Sequence, residues 1–587
     1  MKNLKNIFII LLILGLSACN DEAFFKLQRP TPFPWNNVSE LEFAAVSPYN
    51  KMFYGGYGAP FSNNVLNQLM ESDYFRWVGN VEGYSTDQIY NRRFTERVSD
   101  IENLYGTMYQ VIGLCNDGLD FYKATNDNPF PLASSTDKEK NVKRIKGELL
   151  FMRAYAYYTL AITFCPAYGY GSNNDTKILV KRDHTSNSST DALNNAPATT
   201  GEIYDMIVND LKAAKTLLPT DWTDGTHVSY KNRGRANKWA AEAFLAQVYF
   251  TMKKFTVADA QENALAELDS VINNGGYSLS TDPFANFNNS SSALLSSENQ
   301  EVIFWMFQGD NTFFPIMNNS MRYTMFNKDF RDSKNGGNGN VSTGTNPKWS
   351  FTPWWQMCLA KSSLVEMGWM QNDGTETDLA RWDLRYNNPT TTSGYVNEKG
   401  LYYRFEGSYT DASTYTSEKG LNVIGRRTNA SDDGKYIISA KYGPLIGKSE
   451  PVVLVNKYFR TTAGNLQNIP LIRLSELYLN RAMIKKHAGI SGWSSDFNKV
   501  ASRSWNATLA GTAYVPKSDA DISERMILVE RWKEMAAEDT WYLPFCEALG
   551  YSVGLGDRAS GSGFTAPYSS NYWQNCIPLS ELDFQKR

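Results

Sequence analysis

Small residues alternate with aromatic rings along one helical face after another between residues 100 and 275. That pattern constrains the fold more than any other feature of the chain. Asp100 to Tyr122 carries Leu104, Met108, Val111, Ile112, Leu119 and Tyr122 at mixed three- and four-residue spacing, the period of an amphipathic helix. Lys143 to Phe164 repeats it more clearly, with Leu150, Ala154, Tyr157, Ala161 and Phe164 on one face. A third stripe, Ile203, Ile207, Leu211, Ala214 and Leu218, follows a candidate capping box of Thr199 and Glu202 and stops at Pro219. Ala236, Ala240, Ala243, Gln247 and Phe250 predict a fourth helix, and Ala258 to Asn273 a fifth, ended by Asn274-Gly275-Gly276. Alanine set against rings lets two helices approach closely, so each of these helices needs a partner.

Paired helices of this kind at intervals of about 35 to 45 residues resemble tetratricopeptide repeats. The spacing is degenerate, which predicts four helix pairs separated by inserted segments rather than a regular solenoid. The middle of the chain changes character. Asp310 to Lys348 reads as irregular, and Arg331 to Lys348, rich in Gly, Asn, Ser and Thr, reads as a loop. Short β-like pieces fall at Gly400 to Phe405, Tyr436 to Ala440 and Val452 to Val455, and helices return at Ile472 to His487 and Ile522 to Glu538. The expected fold class is mainly α, with loop-rich, partly β insertions. Trp305, inside the apolar run Val302 to Phe307, is expected in the core.

The N-terminus carries an address. Lys2 and Lys5 precede an apolar run from Ile7 to Leu16, shorter than the roughly 20 residues of a bilayer span, so residues 1–18 read as a signal peptide. The run ends in Leu16-Ser17-Ala18-Cys19, which resembles the lipobox of bacterial lipoproteins, where the cysteine is acylated and becomes the mature N-terminus. Acyl chains contribute about 0.8 kcal/mol per buried CH₂, enough to hold a body on a membrane. A cleaved signal peptide with a chance cysteine is the alternative. Asp21 and Glu22 resemble the signal that sends some lipoproteins to the cell surface. No later stretch approaches 18 apolar residues, so the expected body is tethered rather than spanning.

Composition removes several function classes. With 58 basic against 61 acidic residues the chain has no basic footprint, which excludes nucleic acid as a partner. Its 15 Trp and 34 Tyr are more ring surface than a core requires, and such rings suit wet binding faces. Cys115, Cys165, Cys358, Cys546 and Cys576 show no C-x-x-C spacing, so neither zinc nor a disulfide framework is expected. His184, His227 and His487 are scattered singly. Gly443 to Ser449 imitates a phosphate loop but has three residues between its glycines where four are needed. Asn429, Ser431 and Asp433 imitate an EF-hand start, yet Ala440 stands where the closing glutamate belongs. Glu534 and Glu538 lie one helical turn apart, a spacing more typical of solvated or Arg-paired carboxylates than of a catalytic pair. No catalytic residue, metal or cofactor is expected.

A different set of residues carries a family resemblance. Lys146-Gly147-Glu148-Leu-Leu-Phe-Met-Arg153-Ala154-Tyr155-Ala-Tyr-Tyr158-Thr-Leu160 resembles the G-E-x-x-F-L-R-A-x-x-Y-x-x-L signature of SusD/RagB-type outer-membrane lipoproteins. Further similar segments follow in the family's order. They are Tyr109-x-x-Ile112-x-x-x-Asn116, Ile203-Tyr204 through Asp210-Leu211 to Leu218-Pro219, Gly234-Arg235-Ala236, and Glu301-Val302-Ile303-Phe304. Then come Asp383-Leu384-Arg385, Ile469-Pro470-x-x-Arg473-x-x-Glu476, Glu530-Arg531 with Glu534 and Glu538, and Ile577-Pro578-x-x-Glu581. Two places depart from the pattern: Arg481-Ala482 replaces an Ala-Glu, and Thr540-Trp541-Tyr542-Leu543-Pro544 replaces an Arg-Trp-x-Asp-Leu run.

The resemblance implies a SusD-like helical fold with four degenerate tetratricopeptide-type pairs. It implies one compact unit with an N-terminal region over 19–290 and a C-terminal region over 291–587. It also implies a non-catalytic protein on the outer membrane, facing the exterior and held through Cys19. Such a protein binds a glycan and serves a SusC-like TonB-dependent transporter. Sugars need flat rings for their apolar faces and amides, carboxylates or guanidinium groups for their hydroxyls. Two segments have that mixture: Asp73 to Tyr84, offering Arg76, Trp77, Asn80 and Tyr84, and the middle loop, offering Phe313, Tyr323, Trp349 and Trp354. Each ring has core packing as its alternative. Two other readings stay open: peptide binding on the same architecture, as the RagB branch allows, and a lipid-anchored hydrolase, which lacks an assembled nucleophile.

Overall fold

The helix read over Lys143 to Phe164 spans Lys143–Phe164 in the computed structural model and is buried around almost its whole circumference. The single apolar face expected from the sequence is thus only part of its contact surface. The reason is its position: Val38–Phe53, Ser99–Ala124 and Thr200–Leu217 all pack against it. A helix buried all round must neutralise its polar side chains. Arg144 pairs with Glu148 (2.5 Å) and Glu42, Arg235 reaches Glu148 (2.7 Å) and Glu42, and Arg153 makes two 2.8 Å bonds to Asp210. Asn116 accepts a further 2.8 Å bond from Arg153. Gly147 is glycine for space: a Cβ there would lie 3.0 Å from both Leu217 Cβ and Leu218 Cγ.

The structure describes residues 35–53, 72–77, 85–91, 95–186, 188–193, 196–221, 234–255, 262–287, 300–306, 329–330, 349–350, 357–387, 401–404, 425–426, 436–437, 453–455, 457, 469–538, 541–554, 565–567 and 574–585. The phosphate-loop look-alike and Asn429, Ser431, Asp433 and Ala440 of the EF-hand look-alike lie outside them.

Helices follow one another in space as in sequence. Val38–Phe53, Ser99–Ala124, Lys143–Phe164, Thr200–Leu217, Lys238–Thr251 and Ala264–Asn274 each pack on the next. Leu474–His487 then packs on Ala264–Asn274 and carries Trp493–Arg503 and Glu524–Met535. Everything between Asn274 and Leu474 is therefore an insertion between two touching helices. Capping sets the starts. Thr199 and Glu202 form the expected capping box, while the side chains of Asn237, Asn263 and Ser523 accept from Ala240, Ala266 and Met526 amides. The Asn263 and Ser523 caps begin their helices at Ala264 and Glu524, later than the hydrophobic pattern suggested. Leu474 opens its helix because Ile472 and Arg473 belong to a strand.

That strand, Ile469–Arg473, pairs antiparallel with Val302–Met306, and every residue of both is buried, Trp305 included. Phe75–Trp77 pairs with Met357–Leu359, and Val453–Val455, Tyr402–Arg404 and Tyr386–Asn387 form a three-stranded sheet. At one end of the central pair sits a second buried charge network. Arg473 bonds Glu301 (2.5 Å), Glu534 (2.9 Å) and Glu538 (2.6 Å), Arg503 bonds Glu301 (2.8 Å), and Arg385 bonds Asp383 (2.8 Å) and Glu534 (3.1 Å). Lys457 joins through Glu538. The polar residues that carry the family resemblance are therefore largely structural.

No described helix is long and apolar enough to cross a membrane. Cys115, Cys165, Cys358 and Cys546 are buried, and Cys576 is half-buried.

Candidate ligand-binding pocket

The first predicted site segment starts in the core and continues as a strand. Tyr74 and Phe75 are buried, and Tyr74 stacks on Trp532 (5.5 Å between centroids) with Tyr542 at its edge (4.9 Å). These rings hold the segment down, and for Tyr74 and Phe75 the core-packing alternative applies. Trp532 Nε1 donates to the Tyr542 hydroxyl (3.1 Å), which donates to Asp73 Oδ1 (2.6 Å). Arg76 and Trp77 then pair in backbone register with Cys358 and Met357. Asn80, Tyr84, Phe313, Tyr323 and Trp354 lie outside the described residues, and Trp349 is the first residue of a two-residue strand facing Asp329–Phe330.

Beside Asp73 opens a pocket of about 360 Å³, lined by Asp73, Ser523, Glu524, Arg525, Leu528, Tyr542, Cys546, Tyr551 and Ser552. Its polar groups are fixed by one another. Tyr551 donates to Glu524 Oε2 (3.0 Å), and burial together with that carboxylate pushes the phenol's pKa up, so it stays a donor. His487 Nδ1 stands 3.1 Å from the other Glu524 oxygen. Arg525 grips Glu366 through two nitrogens and lies 4.6 Å over the Trp532 ring. The wall thus offers a carboxylate, a guanidinium, hydroxyls and ring surface at fixed positions, which is the inventory of a polar-ligand site. Of these residues only Asp73 lies in a segment that the sequence marks as a candidate site. The others come from residues 523–552, and no local pattern in that stretch marks them.

A broader recess of about 900 Å³ lies at the start of the first helix, between Asn36–Glu42 and Pro129–Ala133. No predicted site residue lines it.

The Glu534 and Glu538 pair is buried against cations. Burial alone would raise the Glu534 pKa, but Arg503, Arg473, Arg385 and Lys457 hold it well below the usual carboxylate range. A carboxylate fixed as an anion among four cations has no proton to exchange at neutral pH, so Glu534 is an ion-pair anchor, and Glu538 is bonded beside it to Arg473 and Lys457. The carboxylates are Arg-paired, as the spacing suggests, through Arg473 (2.9 Å to Glu534 and 2.6 Å to Glu538), while Arg531 bonds Glu476 (2.8 Å) and Asn480. Among the described residues no cluster of three or more His, Cys, Asp or Glu has the arrangement of a metal site.

Residues 50–250 match the model of a SusD-like family described as starch-binding associating with outer membrane. No curated protein matches the sequence. Among solved structures, a SusD-like carbohydrate binding protein from Bacteroides vulgatus shares 15% identity, covering 94% of this chain and 97% of its own, with a TM-score of 0.61. A laminarin binding SusD-like protein shares 17% over 94% and 98%, TM-score 0.59. Surface glycan-binding protein A from Bacteroides uniformis shares 16% over 93% and 98%, TM-score 0.58. Residues 50–250 are thus similar in sequence to a SusD-like family, and nearly the whole chain shares the fold of solved SusD-like proteins.

Proposed function

We propose that this protein is a non-catalytic, lipid-anchored glycan-binding protein of the outer membrane. In this reading it captures an oligo- or polysaccharide at the cell surface and passes it to a SusC-like TonB-dependent transporter. The observation that carries the reading is the match of residues 50–250 to a starch-binding, outer-membrane-associated family, on a chain that shares its fold with glycan- and laminarin-binding proteins. The N-terminal signal and the Cys19 motif support the anchor, and Asp21 and Glu22 support the outward face. The acyl chains then keep the binder at high effective concentration beside its transporter.

The pocket beside Asp73 sits at the small end of the range for ligand sites, about 300–1,000 Å³, which suits one or two units of a chain that continues outside it. Arg76, Trp77, Asn80 and Tyr84, on the segment running away from Asp73, are placed in sequence to continue that contact. Phe313, Tyr323, Trp349 and Trp354 of the 291–587 region form the second candidate set. The helical region over 19–290 supplies scaffold and transporter-side packing.

A glycan array followed by calorimetry, run beside a pool of mixed peptides, tests the reading. Saturable binding of a defined oligosaccharide supports it. Binding of peptides with no glycan bound would replace it by the peptide-uptake alternative, and turnover of any glycan would end the non-catalytic assignment.

A further inference from the structure

Outside the pocket, three partly exposed rings meet at the surface: Trp382, Trp505 and Tyr514. Trp382 and Trp505 lie 5.5 Å apart at 60°, and Trp505 and Tyr514 lie 6.0 Å apart at 68°. The core does not demand this arrangement, yet the main chain fixes it from both sides. Asp383 and Trp505 form an antiparallel bridge, Leu384 N donates to Ser504 O (2.7 Å), and Asn506 N donates to Trp382 O (2.6 Å). The Trp505 indole N–H donates to Thr512 O (2.8 Å) and the Tyr514 hydroxyl to Asn498 (2.8 Å), so two of the rings are held through their polar ends. Rings locked this way present their faces at little entropic cost on binding.

The border of the cluster says what fits. Leu509 and Val515, close in sequence to Trp505 and Tyr514, stand 62% and 78% exposed, Arg381 and Asp378 cancel as a 3.1 Å pair, and Glu530 and Arg385 act on Tyr514 with opposite signs. A neutral platform has nothing to draw in a nucleic acid, an anionic lipid surface or a charged peptide. A sugar's C–H face needs an aromatic plane with uncharged polar groups around it, and that is what the cluster offers.

We propose that Trp382, Trp505 and Tyr514 form a second carbohydrate platform, sharing no lining residue with the Asp73 pocket, that stacks a neutral sugar unit of a longer glycan. The inference rests on the glycan-binding reading. Two grips on one polymer raise the apparent affinity for long chains well above that for short ones.

The test is electrophoresis of the full-length protein in mild detergent, through native gels containing amylopectin, laminarin, xylan or mannan. Trp382→Ala and Trp505→Ala should weaken retardation by the bound polysaccharide about fivefold, in line with the loss of one stacked ring. Leu509→Arg leaves the core untouched and should weaken it at least about threefold by crowding the platform, which keeps the proposal testable if a tryptophan variant fails to fold. Unchanged retardation of Leu509→Arg together with either folded tryptophan variant overturns the second platform and leaves the glycan reading intact. Absence of retardation of the unaltered protein in all four gels overturns both.

Discussion

Arg473 Nη1 stands 2.9 Å from Glu534 Oε1, and both side chains are 1% exposed. The same guanidinium bonds Glu301 and Glu538, so one residue ties the central strand pair to the Glu524–Met535 helix and the turn that follows it. Removing one partner of a buried network costs far more than the network itself contributes, because the remaining charges stay buried. Arg473→Met should therefore destabilise the protein by about 3–5 kcal/mol. Arg473→Lys should recover little, since an ammonium cannot serve three carboxylates in fork geometry. The guanidinium chloride midpoint reads this out, and a wild-type midpoint for Arg473→Met would remove the network from the account of stability.

Lys457 behaves differently within the same network. Burial pushes its pKa down to about 8, against the pull of Glu538. In the unfolded chain a lysine titrates near 10.4, so between about pH 8 and 10 the unfolded state holds a proton that the native state has released. Stability from this group then rises with pH across that window. Glu538 keeps Arg473 as a partner at 2.6 Å, so Lys457→Met should cost no more than about 2 kcal/mol at pH 7. The gain in midpoint between pH 7.5 and 9.5 should shrink in Lys457→Met relative to wild type. An identical gain in both proteins would show that Lys457 does not titrate there.

Two glycines in neighbouring helices should respond in opposite directions. Gly113 is interior to Ser99–Ala124 with nothing within 4 Å of an added Cβ, so Gly113→Ala should stabilise by about 0.5–1 kcal/mol through backbone entropy alone. Gly147 faces Leu217 and Leu218 at 3.0 Å, and Gly147→Leu should cost about 3 kcal/mol or more by forcing the Lys143–Phe164 and Thr200–Leu217 helices apart. Thermal melts of the two variants suffice. A stabilised Gly147→Leu would mean that the close approach is not what keeps glycine there.

These contrasts also show what the sequence conveyed. The helices were legible because 3.6-residue periodicity and caps such as Thr199 with Glu202 are local. The all-round burial of Lys143–Phe164 was not, because Arg144, Glu148 and Arg153 look solvated until Glu42, Arg235 and Asp210 arrive from 57 to 102 residues away. Motif residues read as family markers turned out to be the charges that close buried joints, and they say little about ligand. The pocket was legible only at Asp73. Glu524, Arg525 and Tyr551 reach it across more than 400 positions, and Trp382 meets Trp505 only through a turn-to-turn bridge.

Trp77 offers the sharpest test of the predicted site. Its backbone is paired with Met357 in an edge-to-edge ladder, and a strand position tolerates alanine without losing its main-chain bonds. If Trp77 stacks on a sugar, Trp77→Ala should weaken glycan binding several-fold, on the order of 1 kcal/mol, while the protein stays folded. Arg525→Ala removes a charged donor from the pocket wall and should weaken binding by about 1.5–3 kcal/mol. It also breaks the pair with Glu366, so its thermal midpoint must be measured alongside. Calorimetry with one oligosaccharide separates the two contributions. Loss in Arg525→Ala with none in Trp77→Ala would confine the ligand to the pocket beside Asp73, and the reverse would move it onto the strand. Unchanged affinity in both, with both variants folded, would take the site away from this part of the molecule altogether.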